Sequence, residues 1–243
     1  MSEVVINIEN VSKTFSDGTV ALKNVSLEIN KNDFVVLAGS NGSGKTVLMG
    51  LIAKINKPTS GSIDAKNVGV IFQDSDTQIL GETPLEDVLF TLKNSEQTKK
   101  VSKEEMTNIA ENILVDFALI EKKYSPSRLL SGGEKRRLCI ATTLAMNTDI
   151  LIFDEPFANL DYDGVKQVCT ILENLKERGK TIIILTHEIE KILALANRGI
   201  VLHKGEICFD GNTEDFLKQN LEKWGIKNPL SSVAKKIQDL LWK

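Results

Sequence analysis

The sequence has few of the residues on which metal centres and disulfide-stapled folds depend. Its 243 residues include only three cysteines and two histidines. Cys139, Cys169 and Cys208 are widely spaced, odd in number and form no CxxC pair. This pattern argues against a zinc site and a disulfide framework, and it favours reduced thiols, as in a cytosolic protein. Two histidines also exclude a His-rich metal centre.

Long apolar runs are absent as well. Residues 182–185 are typical of the longest ones, far short of the roughly 18 residues that a membrane-spanning helix needs. The amino terminus has no cationic region ahead of an apolar stretch, so no secretory signal is expected.

The chain also lacks an excess of positive charge. Thirty Lys and Arg residues against 33 Asp and Glu residues leave a net charge of −3. This balance argues against binding nucleic acid through a basic field, although a local patch stays compatible with it. With 42% apolar and 26% charged residues the composition is that of a globular protein. The length predicts one large domain or one domain with an inserted lobe.

Short apolar runs alternate with longer helical patterns along the chain. Strands are predicted over residues 4–8, 25–29, 34–38, 68–72, 150–153 and 181–185, and helices over residues 44–55, 162–178 and 187–196. The last three are predicted to be fully buried strands, the kind found in parallel sheets. The succession predicts an α/β domain with a parallel core. Apolar residues on both sides of Lys204-Gly205 predict a hairpin.

The middle and the end of the chain differ from this pattern. Residues 74–147 have little strand signal and predict a helical lobe, with helices over residues 102–119 and 133–146. The first of these opens on a capping-box pattern, Ser102 with Glu105 three residues on. Residues 231–243 carry apolar side chains at helical spacing, and this tail either docks on the domain or binds a partner.

A glycine-rich loop at residues 39–46 is the first motif that indicates a binding function. Its residues are Gly39, Ser40, Asn41, Gly42, Ser43, Gly44, Lys45 and Thr46, which fit G-x-x-x-x-G-K-[ST]. A buried strand leads in and a helix leads out, so backbone N–H groups and the helix N-terminus would face an anion. Lys45 would reach the β- and γ-phosphates, and the Thr46 hydroxyl would ligate Mg²⁺.

Two carboxylates follow a buried strand, where α/β sheets bind their ligands. Asp154 and Glu155 come directly after residues 150–153. Asp154 would hold Mg²⁺, mostly through water, and Glu155 would polarise the attacking water as general base. Without the phosphate loop, the Asp154-Glu155 pair would be explained equally well by a strand that ends in a solvent-exposed turn.

A second pair of glycines starts a helix. Ser131 is a natural N-cap, and Gly132 and Gly133 leave backbone N–H groups open to an anion. A simple helix start would account for these three residues in isolation.

In combination, these motifs resemble those of the ATP-binding subunits of ABC transporters, over residues 4–211. Residues 39–46 resemble the Walker A loop, 130–134 the ABC signature, 150–156 Walker B, 159–161 the D-loop, 185–187 the switch histidine and 71–73 the Q-loop. The resemblance implies a P-loop NTPase fold of class α/β, with a RecA-like parallel-sheet core, an N-terminal antiparallel β subdomain and an inserted α-helical subdomain. It implies one ABC ATPase domain over residues 1–243, with the core and β subdomain at 1–75 and 148–222, the helical signature subdomain at 76–147 and a C-terminal helical tail at 223–243.

The same resemblance implies roles for particular residues. Glu155, His187 and Gln73 would be catalytic, with His187 on the γ-phosphate and Gln73 on Mg²⁺ or the attacking water. Thr46, Gln73 and Asp154 would be the metal ligands. Phe15 aligns with the aromatic residue that stacks on adenine, although the family more often has Tyr there. Residues 39–46, Ser131, Gly132, Gly133 and Asp161 complete the ATP-binding set. Two subunits would pair head to tail, so that Ser131 and Gly133 serve the opposite subunit's nucleotide.

Residues 72–80 and 83–90 resemble one branch, the energy-coupling factor (ECF) type ATPases. Gln78, Asp87, Val88 and Phe90 fit the pattern of that branch, while Ser75 and Pro84 depart from it. In this branch a membrane coupling protein inserts helices beside the Q-loop. Ile79, Leu80, Leu85 and Leu89 are compatible with such a docking face and equally with core packing.

The resemblance thus implies an ATP-hydrolysing subunit, with ATP and Mg²⁺, on the cytoplasmic face of the cell membrane. It would power ECF-type uptake of a vitamin or transition metal. Its expected partners are a second ATPase subunit, in a homodimer or heterodimer, an integral membrane coupling protein and a substrate-binding membrane protein; no nucleic acid is expected. The alternatives are another ABC importer, a soluble ABC protein acting on nucleic acid or ribosomes, and a regulatory module that binds nucleotide but barely hydrolyses it.

Overall fold

The structure is a computed structural model that describes residues 3–95 and 98–230. The strands of this part are β1 (Val4–Thr14), β2 (Val20–Asn30), β3 (Phe34–Ala38), β4 (Ser60–Ala65), β5 (Val68–Ile71), β6 (Ile150–Asp154), β7 (Thr181–Thr186), β8 (Arg198–His203) and β9 (Glu206–Asn212). Its α-helices are α1 (Lys45–Ile52), α2 (Pro84–Asn94), α3 (Lys103–Asp116), α4 (Gly132–Ala145), α5 (Tyr162–Glu177) and α6 (Thr213–Leu217). All six predicted strands overlap these elements, although β1 and β2 are longer than the runs predicted at 4–8 and 25–29.

The main sheet has six strands in the order β5-β6-β7-β3-β8-β9. Its first five strands run parallel, and β9 pairs with β8 in the antiparallel direction. Every residue of β3, β6 and β7 is buried, because strands of a parallel sheet are covered on both faces. The predicted parallel core is therefore confirmed.

The second sheet is small and antiparallel, with the order β2-β1-β4. Burial alternates along β1, where Ile6 and Ile8 point into a core shared with Leu37 and Leu48. This alternation is typical of a sheet with one covered face. The sequence analysis missed β4, because its sequence SGSIDA buries only Ala65 and has no apolar run.

The predicted hairpin at Lys204-Gly205 joins β8 to β9. Both turn residues have positive φ, 50° for Lys204 and 83° for Gly205, as a two-residue type I′ turn requires. The Gly205 N–H donates to the Ser43 carbonyl at 3.0 Å. The hairpin turn therefore supports the glycine-rich loop from behind.

Helices α2, α3 and α4 occupy the region predicted to be helical, between β5 and β6. Thr83, Ser102 and Ser131 cap them, each side chain accepting a hydrogen bond from the N–H three residues on. Helix α2 was not predicted, although Thr83 followed by Pro84 is a helix-start signal. The subdomain boundaries at residues 76–147 stay a prediction.

The predicted helix over residues 187–196 is wrong. The structure has two short 3₁₀ turns there, Ile189–Lys191 and Leu193–Leu195. The chain must reach β8 at Asn197, whose side chain accepts from the Phe34 N–H at 2.9 Å and whose N–H donates to the Phe34 carbonyl at 3.0 Å. These hydrogen bonds fix the chain to the start of β3, a tertiary constraint that overrides the helical spacing of the segment.

The predicted helical tail at residues 223–243 is wrong for its described part. Residues 223–230 contain only the end of a 3₁₀ turn, Leu221–Trp224, after which Gly225 adopts φ 72°. A left-handed glycine at this position ends a helix. The predicted helix over residues 231–243 lies outside the described residues. Among helices of the described residues, none has the length and apolar character to span a bilayer.

Candidate functional site

The glycine-rich loop connects β3 to α1, and close packing behind it excludes side chains at two positions. A Cβ on Gly39 would lie 2.3 Å from the Leu202 carbonyl oxygen. Gly44 is the N-cap of α1 with φ 106°, and a Cβ there would lie 2.7 Å from the Ala21 carbonyl oxygen. The glycines therefore let the loop lie against the sheet at the N-terminus of α1, whose partial positive charge favours an anion.

The Lys45 ammonium group lies inside this loop. Its Nζ donates to the Gly39 carbonyl at 2.6 Å and to the Ser40 carbonyl at 3.2 Å, and the residue is 6% exposed. Burial lowers the pKa of Lys45, and the charges of Glu155 and Asp154 oppose this shift. The loop thus encloses an ammonium group whose hydrogen bonds go to two carbonyl oxygens of the loop. Such a group can form charge-assisted hydrogen bonds with phosphate oxygens.

The carboxyl end of β6 brings Asp154 to the start of α1. The Thr46 hydroxyl donates to Asp154 Oδ2 at 2.9 Å, and Asp154 is 5% exposed. Burial raises the pKa of Asp154, and the Thr46 hydrogen bond opposes that effect. Hydroxyl and carboxylate oxygens are the donors that Mg²⁺ prefers. The described residues contain no group of three or more His, Cys, Asp or Glu residues able to hold a metal.

Glu155 is held by two side chains from the end of β7. The Thr186 hydroxyl donates to its Oε2 at 2.9 Å, and His187 Nδ1 lies 2.8 Å from its Oε1. The Glu155 backbone has φ 44°, which costs about 1–3 kcal/mol for a residue other than glycine. Its N–H donates to the Leu185 carbonyl at 2.9 Å. The two side-chain hydrogen bonds fix the orientation of the Glu155 carboxylate.

Thr186 is a site residue that the sequence analysis missed. Its hydroxyl also accepts a hydrogen bond from the Glu188 N–H at 3.0 Å, so it joins Glu155 to the turn after β7. The signal that could have found it is its place between a buried strand and His187.

These groups surround one cavity of about 330 Å³, here called the phosphate-loop cavity. The predicted residues that line it are Phe15, Asn41, Gly42, Ser43, Gly44, Lys45, Thr46, Gln73, Asp154 and Glu155. The Phe15 ring is 40% exposed, and Lys13 Nζ lies 5.4 Å from its centroid. Gly39 and Ser40 contribute through the Lys45 hydrogen bonds, and His187 contributes through Glu155.

The remaining predicted residues lie elsewhere, in a second opening of about 350 Å³ that we call the signature cleft. Ser131, Gly132, Gly133 and Asp161 line it together with Asn159. Ser131 and Glu134 form a reciprocal capping box, with hydrogen bonds of 2.8 and 3.3 Å, as expected for a helix N-cap. Asp161 caps α5 by accepting from the Gly164 N–H at 2.8 Å. A single chain therefore does not bring the two groups of predicted residues into one cavity.

A model of the ABC transporter family matches residues 22–158, more than half of the chain. The chain belongs to the ABC transporter ATP-binding proteins. The predicted α/β ABC ATPase fold and the predicted ATPase activity are confirmed: this ABC transporter ATPase hydrolyses ATP to drive transport. The roles assigned to individual residues stay predictions.

Several relatives of this ABC ATPase are similar over most of their length. The chain is 41% identical over 222 residues to the ECF transporter ATP-binding protein EcfA1 of Fusobacterium nucleatum, covering 85% of this chain and 82% of the relative. It is 35% identical to EcfA2 of Thermotoga maritima, covering 88% and 85%. It is 34% identical to the arginine transport ATP-binding protein ArtM of Bacillus subtilis, covering 98% and 99%.

The fold also matches a solved ABC structure. CbiO1 of Clostridium perfringens, part of the ABC transporter complex cbiONQ, superposes with a TM-score of 0.79 at 30% identity, over 94% of this chain and 97% of that chain.

Proposed function

We propose that this ABC ATPase powers an ECF-type importer, as a peripheral subunit on the cytoplasmic face of the cell membrane, for uptake of a vitamin or transition metal. The observation that carries the proposal is the 41% identity to EcfA1 over most of both chains. The similarity to CbiO1, a part of the cbiONQ complex, supports it.

In this proposal the phosphate-loop cavity binds ATP. Lys45 and the loop N–H groups hold the phosphates, and Phe15 stacks on the adenine. Thr46, Asp154 and Gln73 would hold Mg²⁺, which neutralises developing phosphate charge when it is bound. Glu155 accepts a proton from the attacking water, and Thr186 and His187 fix its orientation.

The two openings fit a pair of subunits arranged head to tail. Each phosphate-loop cavity would face the signature cleft of the other subunit, so that one ATP contacts both chains. Because the contacts to the second chain exist only in the closed pair, ATP stabilises that state and hydrolysis releases it. The pair is a homodimer or includes a second ATPase chain.

Ser131→Arg is expected to leave MgATP binding to one chain within about twofold but to lower turnover at least about 100-fold. The long cation would fill the signature cleft without reaching the phosphate-loop cavity of its own chain. Binding is measured by calorimetry and turnover by phosphate release. Ser102→Arg, at the matching N-cap of α3, controls for the lost cap and should retain turnover. Unchanged turnover in Ser131→Arg would mean that the cleft completes no second ATP site.

A third opening supports a membrane partner. This groove of about 590 Å³, here called the Leu80 groove, is lined by Asp76, Ile79, Leu80, Gly81, Glu82, Thr83, Pro126, Ser127 and Arg128. Leu80 is 68% exposed, and Leu129, next to Arg128, is 73% exposed. Leu85, by contrast, is buried in the core, and Ile79 and Leu89 pack against that core while half-buried. Of the four apolar residues compatible with docking, Leu80 is thus the one left open to a partner.

A buried carboxylate, that of Asp87, fixes the backbone turn at residues 80–81 that lines the Leu80 groove. Asp87 Oδ1 accepts hydrogen bonds from the Leu80 and Gly81 N–H groups, both at 2.7 Å. Burial raises the pKa of Asp87, and these two backbone hydrogen bonds oppose that shift. A Cβ on Gly81 would lie 2.3 Å from the Asp87 backbone nitrogen. The turn at residues 80–81 is therefore held in one shape, as a docking surface requires.

The tagged chain, extracted with detergent from membranes of its own source, is expected to co-purify with an integral coupling protein and a small substrate-binding membrane protein, identified by mass spectrometry. Leu80→Asp should remove both, because it places a charge in an apolar contact. Val115→Asp is the matched control, since Val115 is 56% exposed on α3 outside the groove; it should retain both partners. Equal retention by both variants would contradict docking in the Leu80 groove.

Another ABC importer is the second candidate, because ArtM matches nearly the whole of both chains. The same purification separates the two. A conventional permease and an extracytoplasmic binding protein would favour this second candidate. Partners found only among ribosomal or DNA-associated proteins would contradict transport.

A further inference from the structure

The loop at residues 72–78, which carries Gln73, is held by one buried cation. Arg136 on α4 is 2% exposed. One end of its guanidinium donates from Nη1 to the Phe72 carbonyl, and the other from Nη2 to the Gln73 carbonyl at 2.7 Å. A planar fork of donors matches two successive carbonyls in a way that a lysine does not.

Two further contacts join the same loop to α4. Cys139 Sγ donates to the Ser75 carbonyl at 3.7 Å, and Gln78 Nε2 donates to Thr143 Oγ1 at 3.2 Å. Residues 136, 139 and 143 share one helix face, because side chains three, four and seven positions apart align on a helix. The loop is therefore attached to α4 along two turns.

Gln78 also closes the loop on itself. Its Oε1 accepts from the Phe72 N–H at 3.0 Å, and its Nε2 donates to the Val70 carbonyl at 3.0 Å. The backbone on both sides of Gln73 is thus held, and Gln73 lines the phosphate-loop cavity.

Helix α4 connects this anchor to the signature cleft. The helix begins after its N-cap Ser131, and Arg136 follows five residues later, about 7.5 Å along the axis. The start of α4 therefore lines the signature cleft. Arg136, about one and a half turns further along the same helix, binds the backbone of Gln73.

We propose that Arg136 is a positioning residue for ATP hydrolysis: it holds Gln73 in the ATP site and makes Gln73 follow any movement of α4 when the signature cleft engages the second subunit's nucleotide. This inference rests on the proposed role of Gln73 in the ATP site. It links the two ATP sites of the pair through one helix of one chain.

The test is a double-mutant cycle between Arg136→Lys and Gln73→Ala, measured as kcat and KM for MgATP on the full-length chain, with Tm for folding. Arg136→Lys should lower kcat about tenfold and leave KM within about twofold, because the phosphate loop is untouched. Since Arg136 acts through Gln73, the double variant should match Gln73→Ala within about twofold. A purely structural role would lower kcat by the same factor in either background.

Thr142→Val is the control on the same helix. Thr142 is buried, and its hydroxyl donates only within α4, to the Leu138 and Cys139 carbonyls at 3.0 Å. Any loss of kcat that it causes should be the same in the wild-type and Gln73→Ala backgrounds. If Arg136→Lys does not fold, Thr143→Val takes its place in the cycle. This variant removes the hydrogen bond that Thr143 accepts from Gln78 of loop 72–78.

The outcomes separate this inference from the proposal on which it rests. Wild-type kcat in Arg136→Lys, or a kcat loss that persists in the Gln73→Ala background, overturns the role of Arg136 alone. Normal turnover in Gln73→Ala overturns the role of Gln73, and with it the present inference.

Discussion

Glu155→Gln is expected to lower kcat for ATP by about 10³-fold, the loss typical of a missing general base, while MgATP binding persists. The amide keeps the volume of the carboxylate and its place beside Thr186 and His187, but it cannot take a proton from water. In the proposed head-to-tail pair hydrolysis would release the closed state, so the variant should accumulate as an ATP-bound dimer.

Phosphate release measures the first effect, and gel filtration with MgATP measures the second. Glu188→Gln is the matched control, because Glu188 lies in the turn after β7, next to His187, and pairs with Lys191 at 2.8 Å outside the phosphate-loop cavity. It should hydrolyse ATP at the wild-type rate. A Glu155→Gln chain that stays monomeric with MgATP would contradict the head-to-tail pair.

Lys45→Ala is expected to weaken MgATP binding at least about 100-fold, since a charge-assisted hydrogen bond to phosphate contributes roughly 1.5–3 kcal/mol and the proposed role of Lys45 places it on both the β- and the γ-phosphate. Its ammonium is the cation that the loop encloses, held at 2.6 Å from the Gly39 carbonyl. Calorimetric titration with MgATP measures the change in Kd.

Lys23→Ala is the control for general loss of charge near the loop. Lys23 Nζ pairs with Glu206 at 3.4 Å, and its side chain is 48% exposed. This variant should bind MgATP as the wild type does. Tight MgATP binding retained by Lys45→Ala would rule out the phosphate loop as the binding element.

The sequence was most informative where burial dictates composition. Strands β3, β6 and β7 are apolar at nearly every position because both faces of a parallel sheet are covered. Strand β4 was missed because it lies in the small sheet and buries one residue. The segment at 187–196 has helical spacing, but Asn197 is bound to β3, a constraint that no local pattern contains.

The separation of the predicted residues into two openings is a property of the folded chain. Local motifs name the glycine-rich loop and the acidic strand end, and parallel strands then bring both to one edge of the sheet. Nothing in residues 130–134 indicates that they lie away from Lys45. That placement follows from how α4 and α5 pack, which sets the position of the signature cleft.

The amino-acid sequence was sufficient to predict the parallel core, the hairpin at Lys204-Gly205 and the phosphate loop with its acidic partners, because these depend on local composition and spacing. The hydrogen bonds from Thr186 to Glu155 and from Arg136 to the loop that carries Gln73 came from tertiary structure. The first of these hydrogen bonds joins residues 31 positions apart, and the second joins residues 63 positions apart. Such pairs are set by three-dimensional packing, and a pattern read along one chain does not contain them.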